Sequence, residues 1–184
     1  VAETLGYYVT PAPFVSTVVM APLAIALAGS DEQKAQWLPK LAEGSVIIGA
    51  ALTEVIGARS DAGIKSSGST LNGKALFVLD FEADVYLVAD ADRNLFLVDA
   101  NANGLERNLL TTVDKTRPVG ELIFNNVEAE ALPNVSGEDV CARIIDAGRI
   151  VLAADNLGAA QNMLDQAVAY SKIREQFGRV IGSF

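Results

Sequence analysis

The chain has 184 residues, of which 51% are apolar, and a formal net charge of −9. That is enough for one domain or two small ones with a sizeable core, and the negative balance argues against nucleic acid and anionic membranes as partners. With 0 histidines and 1 cysteine, Ser-His-Asp and Cys-His catalysis, an internal disulfide and most zinc or iron sites are removed.

Acid–base work therefore falls to carboxylates, Lys, Tyr or a cofactor. No apolar run reaches the roughly 18 residues of a membrane span. The run VSTVVMAPLAIALAG is broken by Ser16, Thr17 and Pro22 and has no basic segment before it, unlike a secretion signal. A cytoplasmic location is the expectation. The start at Val1 and the abrupt end at Phe184 suggest a piece of a longer chain.

In chain order, residues 1–9 are expected to be a lead-in with a helix end stopped at Gly6. Pro11 and Pro13 open a helix over Phe14–Leu27, which Gly29 ends as a C′ glycine. Ser30 and Gln33 then fit a capping box, the hydroxyl and the amide satisfying each other's backbone N–H groups. The helix they start places Trp37, Leu38 and Leu41 inward, bends near Pro39 and stops at Gly44.

After Gly44 the period changes. Strands are expected at Val46–Leu52, Ser69–Asn72, Ala75–Leu79, Val85–Ala89, Leu95–Val98 and Val119–Phe124. Asn72-Gly73 signals a hairpin turn between the second and third, and residues 101–104 signal another turn. Short strands with frequent turns predict a compact antiparallel β domain over residues 46–128. The lack of βαβ alternation argues against a Rossmann fold.

From Glu138 to Phe177 there is no proline, and one long helix is expected. Its apolar stripe runs through Cys141, Ile144, Ile145, Gly148, Val151 and Leu152, then Ala160, Met163, Leu164, Ala167 and Val168. Gly158, Ala159 and Ala160 would let another helix come close. Arg149, Asp155 and Asn156 interrupt the stripe, and buried charges need partners. A helix this long needs other helices beside it, so association through it is expected.

Four stretches together resemble the acyl-CoA dehydrogenase family. They are QKAQWLPKLAEG from Gln33 to Gly44; Ala51-Leu52-Thr53-Glu54 with residues 57–61; Leu71-Asn72-Gly73-Lys74; and residues 146–161 with the R-x-x-F-G end from Arg174 to Phe184. The resemblance implies an α+β fold: residues 1–44 end an N-terminal helical domain, 45–133 form an antiparallel β-barrel-like middle domain, and 134–184 carry the first long helix of a C-terminal bundle. It implies FAD as cofactor and an acyl-CoA as substrate, with a glutamate taking the α proton while flavin N5 takes the β hydride. Expected partners are a second copy or an unlike subunit, as dimer or tetramer through the C-terminal helices, and electron-transfer flavoprotein.

The resemblance carries site roles onto particular residues. Thr53 would reach a flavin oxygen, with the Leu52 backbone serving the same ring. Ser60 would contact CoA, but its loop is one residue longer than the family's and has Arg59 in place of a glycine. Arg59 either grips a phosphate or blocks the site, and a solvated turn is an equal reading.

Phe77 and Leu79 lie where the family usually has Trp and Thr. Phe77 can pack on the ring, whereas Leu79 offers only its backbone N–H, so strand core is the preferred reading for it. The F-V-L-D segment looks like members acting on steroid side-chain CoA esters, often built from paired unlike subunits. Asp146 and Arg149 match a segment lining the substrate pocket. Arg149 also reads as a buried arginine paired with an acid, and that is the preferred reading.

Gly148 occupies the position where some members keep their catalytic glutamate and cannot serve as base. The usual base would lie beyond Phe184, so the catalytic residue is unassigned and the chain by itself is expected to be inactive. Arg174, Gln176 and Phe177 match residues that reach a partner subunit's FAD, the guanidinium fork suiting a pyrophosphate. The alternative function is a non-catalytic subunit that completes a neighbour's FAD or substrate site.

Overall fold

The structure is a computed structural model that describes residues 1–52, 57, 62–133 and 139–184. It comprises two compact units, one of Ala12–Gly148 and one of Val1–Pro11 with Arg149–Phe184.

The larger unit opens on a π-helical stretch, Phe14–Met20, that passes directly into helix α2, Ala21–Ala28. The expected single helix is thus half π and half α, with Pro22 in the first turn of α2, where its missing N–H costs nothing. Gly29 follows α2, but with φ −73 and ψ 152 it is extended rather than left-handed. It stops the helix without the C′ geometry expected of it.

Helix α3, Asp31–Glu43, starts on the full Ser30/Gln33 capping box and ends at left-handed Gly44, both as expected. Trp37, Leu38 and Leu41 are only half-buried, and the buried residue of this helix is Gln33. Gln33 Nε2 donates to Glu130 Oε1 at 2.7 Å and to the Ala131 carbonyl at 2.9 Å. A polar tether to the sheet edge, rather than an apolar stripe, carries that face.

Among the described residues eight strands follow: β1 Ile48–Ala51, β2 Gly63–Ser67, β3 Thr70–Leu79, β4 Val85–Ala89, β5 Leu95–Asp99, β6 Leu105–Leu109, β7 Val119–Glu128 and β8 Glu130–Ala131. Their order is β6-β7-β3-β1-β4-β5-β8, with β2 beside β3. The sheet is mixed and not purely antiparallel, because β1 pairs parallel with β4, Ile48 opposite Val85 and Ala51 opposite Val88. The other pairings are antiparallel.

Asn72-Gly73 is not a hairpin turn. It lies inside β3, where the register against β7 shifts between Leu71 and Gly73. Gly73 has φ +123, and an added Cβ there would sit 2.0 Å from the Gly63 carbonyl oxygen. The pair's positive-φ tolerance makes a bulge instead. The actual turn is Gly68-Ser69, a two-residue loop between β2 and β3 with φ +63 at its first position.

The core lies along the central strands. Every residue of β4 is buried, as are Ile64, Leu71, Val78, Leu122 and Phe124. Fully buried Tyr86 and Phe124 stand for roughly 1.5–3 kcal/mol each of apolar transfer. Asp90 closes the β4–β5 turn, 1% exposed, accepting from the Asp92 and Asn94 N–H groups, Asn94 Nδ2 and Ser66 Oγ. Helix α4, Val140–Ile173, enters this unit at its start, burying Val140, Cys141, Ile144 and Ile145.

In the smaller unit, α1 (Ala2–Tyr7) crosses the later part of α4. Gly6 does not stop α1 but is buried within it: an added Cβ would lie 1.9 Å from the Asp155 carbonyl oxygen. The reciprocal position, Gly158, would place a Cβ 1.8 Å from the Glu3 carbonyl oxygen. The close approach expected of Gly158 is therefore made by α1. Tyr7 Oη donates to Asp165 at 3.0 Å, and the acceptor carboxylate raises the tyrosine pKa.

Beyond the crossing the expected stripe is open. Ala160, Met163, Leu164, Ala167 and Val168 are all exposed. The helix also ends at Ile173 rather than continuing to Phe177. A hairpin follows, β9 Glu175–Gln176 against β10 Arg179–Val180, and a 3₁₀ turn at Ile181–Ser183. Among the described residues no helix is long and apolar enough to cross a membrane.

Candidate functional site

The sequence-predicted residues fall into two groups, one in each unit. In the larger unit Leu52, Phe77 and Leu79 collect where β1 and β3 run side by side, and Asp146 lies on α4. Leu52 follows directly on β1 and buries its side chain, so its main chain is what it offers. Ala50 pairs antiparallel with Leu79, a chain direction that carries Leu52 back toward Phe77. Leu79 is half-buried and is held on its other side by Val119.

Phe77 sits in a second register shift of β3, between Ala75 and Val78, with φ +56. The residue is 56% exposed. A bulky side chain in left-handed backbone is uncommon. It persists only where the surroundings impose it, and such strain gathers at functional sites. Asp80, directly after Leu79, is also left-handed at φ +50. Thr53 and Ser60, with Arg59, lie outside the described residues.

The reading of Asp146 and Arg149 changes in one respect. Both are exposed, so Arg149 is not the buried arginine preferred from the sequence. Gly148 is buried, and an added Cβ would meet Met20 Sδ at 3.1 Å. That position carries no side chain and so no base, and a side chain added there would have to shift the Met20 thioether.

In the smaller unit, Arg174, Gln176 and Phe177 belong to the hairpin and not to a helix end. The Arg174 main chain is fixed on both sides: its N–H donates to Tyr170 at 2.9 Å and its carbonyl accepts from Ile181 at 2.8 Å. The hairpin loop is Phe177-Gly178, with φ +51 and +78. Two successive positive φ values are the signature of a type I′ turn, which prefers Asn or Asp with Gly and disfavours Phe. The Phe177 ring is 94% exposed. It stands edge-on to Phe184 at 6.4 Å, and Arg179 lies 3.8 Å over the Phe184 ring. Gln176 Nε2 turns back to the Glu175 carbonyl at 2.8 Å.

A separate cavity of about 620 Å³ in the larger unit is lined by Ser66, Arg93, Asn94, Pro133, Asp139 and Cys141, among others. None of the predicted site residues that the structure describes lines it. Arg93 is ion-paired with Asp139. Burial pushes the Cys141 thiol up to about 11, which favours the neutral thiol over the thiolate.

Sequence reasoning missed Ser16, Thr17, Gly49 and Asp80. The signal was present: a Ser-Thr pair inside an apolar run is a polar pair that must be satisfied indoors. It had been taken only as an interruption. Ser16 is fully buried and Thr17 nearly so. Ser16 Oγ donates to Asp80 Oδ2, and Thr17 bridges β1 by both accepting from and donating to Ile48 at 3.1 Å.

Comparison with known proteins places these features in a family. Residues 1–45 match the model of the acyl-CoA dehydrogenase N-terminal domain, and residues 136–184 that of the acyl-CoA dehydrogenase C-terminal domain. An acyl-CoA dehydrogenase of Bacillus subtilis is 34% identical over 183 residues, covering 84% of this chain and 46% of that protein. A glutaryl-CoA dehydrogenase structure from Mycobacterium smegmatis, in complex with FADH2, is similar with TM-score 0.77 and 28% identity, covering 90% of this chain and 47% of that one. The steroid ACAD Tcur3481-Tcur3483 gives TM-score 0.81 and 33% identity, covering 100% of this chain and 51% of its own. The chain spans about half the length of the curated relative described here.

Proposed function

Because the chain belongs to the acyl-CoA dehydrogenase family, we propose that it binds FAD and forms part of a site that desaturates an acyl-CoA thioester between Cα and Cβ. The observation that carries this reading is the pair Phe77 and Phe177. Each is a large aromatic held in left-handed backbone with its ring exposed. Each stands at a position that resembles one of the family's FAD contacts, and a strained, presented aromatic there fits a cofactor contact better than it fits ordinary core.

FAD, when bound, supplies the acceptor for the β hydrogen as hydride. The chain's residues supply the rest. The Leu52 and Leu79 main chains offer donors and acceptors to the ring edge, and by resemblance Thr53 is assigned a hydroxyl contact to the same ring. Phe77 packs on the ring and excludes water. Arg174 offers its fork to a pyrophosphate, with Gln176 and Phe177 beside it at the hairpin, on a neighbouring subunit's cofactor. By resemblance, Asp146, Arg149 and Ser60 are each assigned to the CoA ester.

The proposed domain division is 1–44, 45–133 and 134–184. The proposed partners are a second subunit on the open face of α4 and electron-transfer flavoprotein as electron acceptor. No base is assigned to this chain, since Gly148 has no side chain to act as one.

The test is FAD titration of the 184-residue chain followed by flavin absorbance and fluorescence. Binding is expected, and Phe77→Ala is expected to weaken it about tenfold, the order of one aromatic packing contact. A chain that takes up no flavin would refute the reading.

A further inference from the structure

The C-terminal end of β3 is held in an unusual shape, and its support comes from outside the sheet. Phe77 and Asp80 are both left-handed, at φ +56 and +50, and Leu79 lies between them. An isolated non-glycine residue in such backbone is strained, and the strain must be met by contacts.

At Asp80 those contacts come from Ser16. The Ser16 hydroxyl donates to Asp80 Oδ2, and its N–H approaches the same oxygen at 3.4 Å. Ser16 is fully buried and belongs to the π-helical stretch, a conformation that is rare and concentrated at functional sites. Its neighbour Thr17 fixes the same stretch to β1 through both polar atoms of Ile48. Next to Ile48, Gly49 brings β1 so close that an added Cβ would lie 2.9 Å from the carbonyl oxygens of both Leu79 and Asp80. The π-helix, β1 and the end of β3 are therefore joined by main-chain and charge-assisted contacts rather than by apolar packing alone.

We infer that Ser16 and Asp80 are positioning residues: their hydrogen bond sets the backbone at Leu79–Asp80 and so aims the Leu79 N–H and the Phe77 ring at the flavin. This rests on the FAD reading above. It assigns a role in cofactor orientation to a helix that precedes the sheet in sequence and carries no family flavin motif.

The experiment compares Ser16→Ala, Asp80→Ala and Asp80→Asn in the 184-residue chain. Three readouts are taken: FAD affinity, the midpoint potential of bound flavin, and amide exchange of the peptide over residues 76–82 without flavin. Asn keeps a carbonyl acceptor and tolerates left-handed backbone. Asp80→Asn should therefore stay within about twofold of wild type in affinity and exchange. Ser16→Ala and Asp80→Ala should each speed exchange of the peptide and weaken FAD about tenfold, the order of one charge-assisted hydrogen bond, with a shifted potential. Unchanged exchange overturns the inference, and so does faster exchange with unaltered flavin affinity and potential, which would mark a purely structural contact. Wild-type chain that binds no FAD instead overturns the cofactor reading and takes this inference with it. If wild type binds FAD and only the Ser16 arm fails, the reading survives and the inference does not.

Discussion

Replacing Gly158 with alanine should destabilise the protein, although the same change in an open helix would stabilise it. In an exposed helix interior Gly→Ala gains roughly 1 kcal/mol from helix propensity. Here the new Cβ would lie 1.8 Å from the Glu3 carbonyl oxygen and 2.7 Å from the Tyr7 nitrogen. Those are main-chain atoms of α1, so no side chain can swing aside. To restore contact, α1 must back away by about 1.5 Å, and a gap of that size forfeits much of the dispersion attraction along the crossing.

Overpacking of this kind costs about 1–3 kcal/mol and can exceed that against backbone. The propensity gain does not offset it, and a net loss of about 1–2 kcal/mol is expected. Gly6→Ala meets the Asp155 carbonyl oxygen at 1.9 Å and should cost about the same. The double variant should lose less than the sum, because both substitutions open one crossing. Urea unfolding gives the magnitude, and amide exchange of residues 2–7 shows whether α1 has undocked. A Gly158→Ala chain more stable than wild type by about 1 kcal/mol would refute the crossing argument.

Two further outcomes concern pH. Gln33→Glu places a carboxylate where an amide donates to Glu130 at 2.7 Å. The like charges raise the folded pKa of the pair, so stability should be near wild type at low pH and fall as pH rises past about 4.3. Gln33→Ala should lose stability at both extremes; thermal unfolding across pH 3.5–7.5 separates them, and parallel curves would refute the pairing. At Cys141 burial lifts the folded pKa to about 11, so the stabilisation is complete below the unfolded thiol pKa of about 8.5 and is lost as pH rises toward 11. Iodoacetamide should label native Cys141 slowly at pH 9 and unfolded chain quickly; equal rates would contradict the burial.

Local signals were legible, and tertiary ones were not. The capping box at Ser30 and Gln33 is written within four residues and forms as read. Asn72-Gly73 states a need for unusual backbone without saying whether a turn or a bulge will use it. The choice fell to pairing with β7, which runs past both residues. Gly6 was read as a stop, yet its reason for being glycine lies on α4, far along the chain. Strands β2 and β6 were missed because LERNL and GIKSS are polar edge segments with little apolar alternation. At the site, Phe77 was legible as an aromatic in a family position, but its strained backbone and the support from Ser16 depend on three elements meeting.

The parallel pairing of β1 has a kinetic meaning. β1 lies between β3 and β4, both of which follow it in the chain. The β2–β3 and β4–β5 hairpins close on short loops and can form within microseconds. Seating β1 instead requires closing the long stretch from Ile48 to Val85, and the entropy of that loop is lost before any contact repays it. Like β7, which reaches β3 across a still longer stretch (Thr70 opposite Glu128), β1 therefore pairs later than those hairpins. Until it arrives, β3 and β4 each present an unpaired edge, one of them wholly apolar, and such edges recruit other chains. Lower refolding yield at higher protein concentration is the outcome expected of this topology.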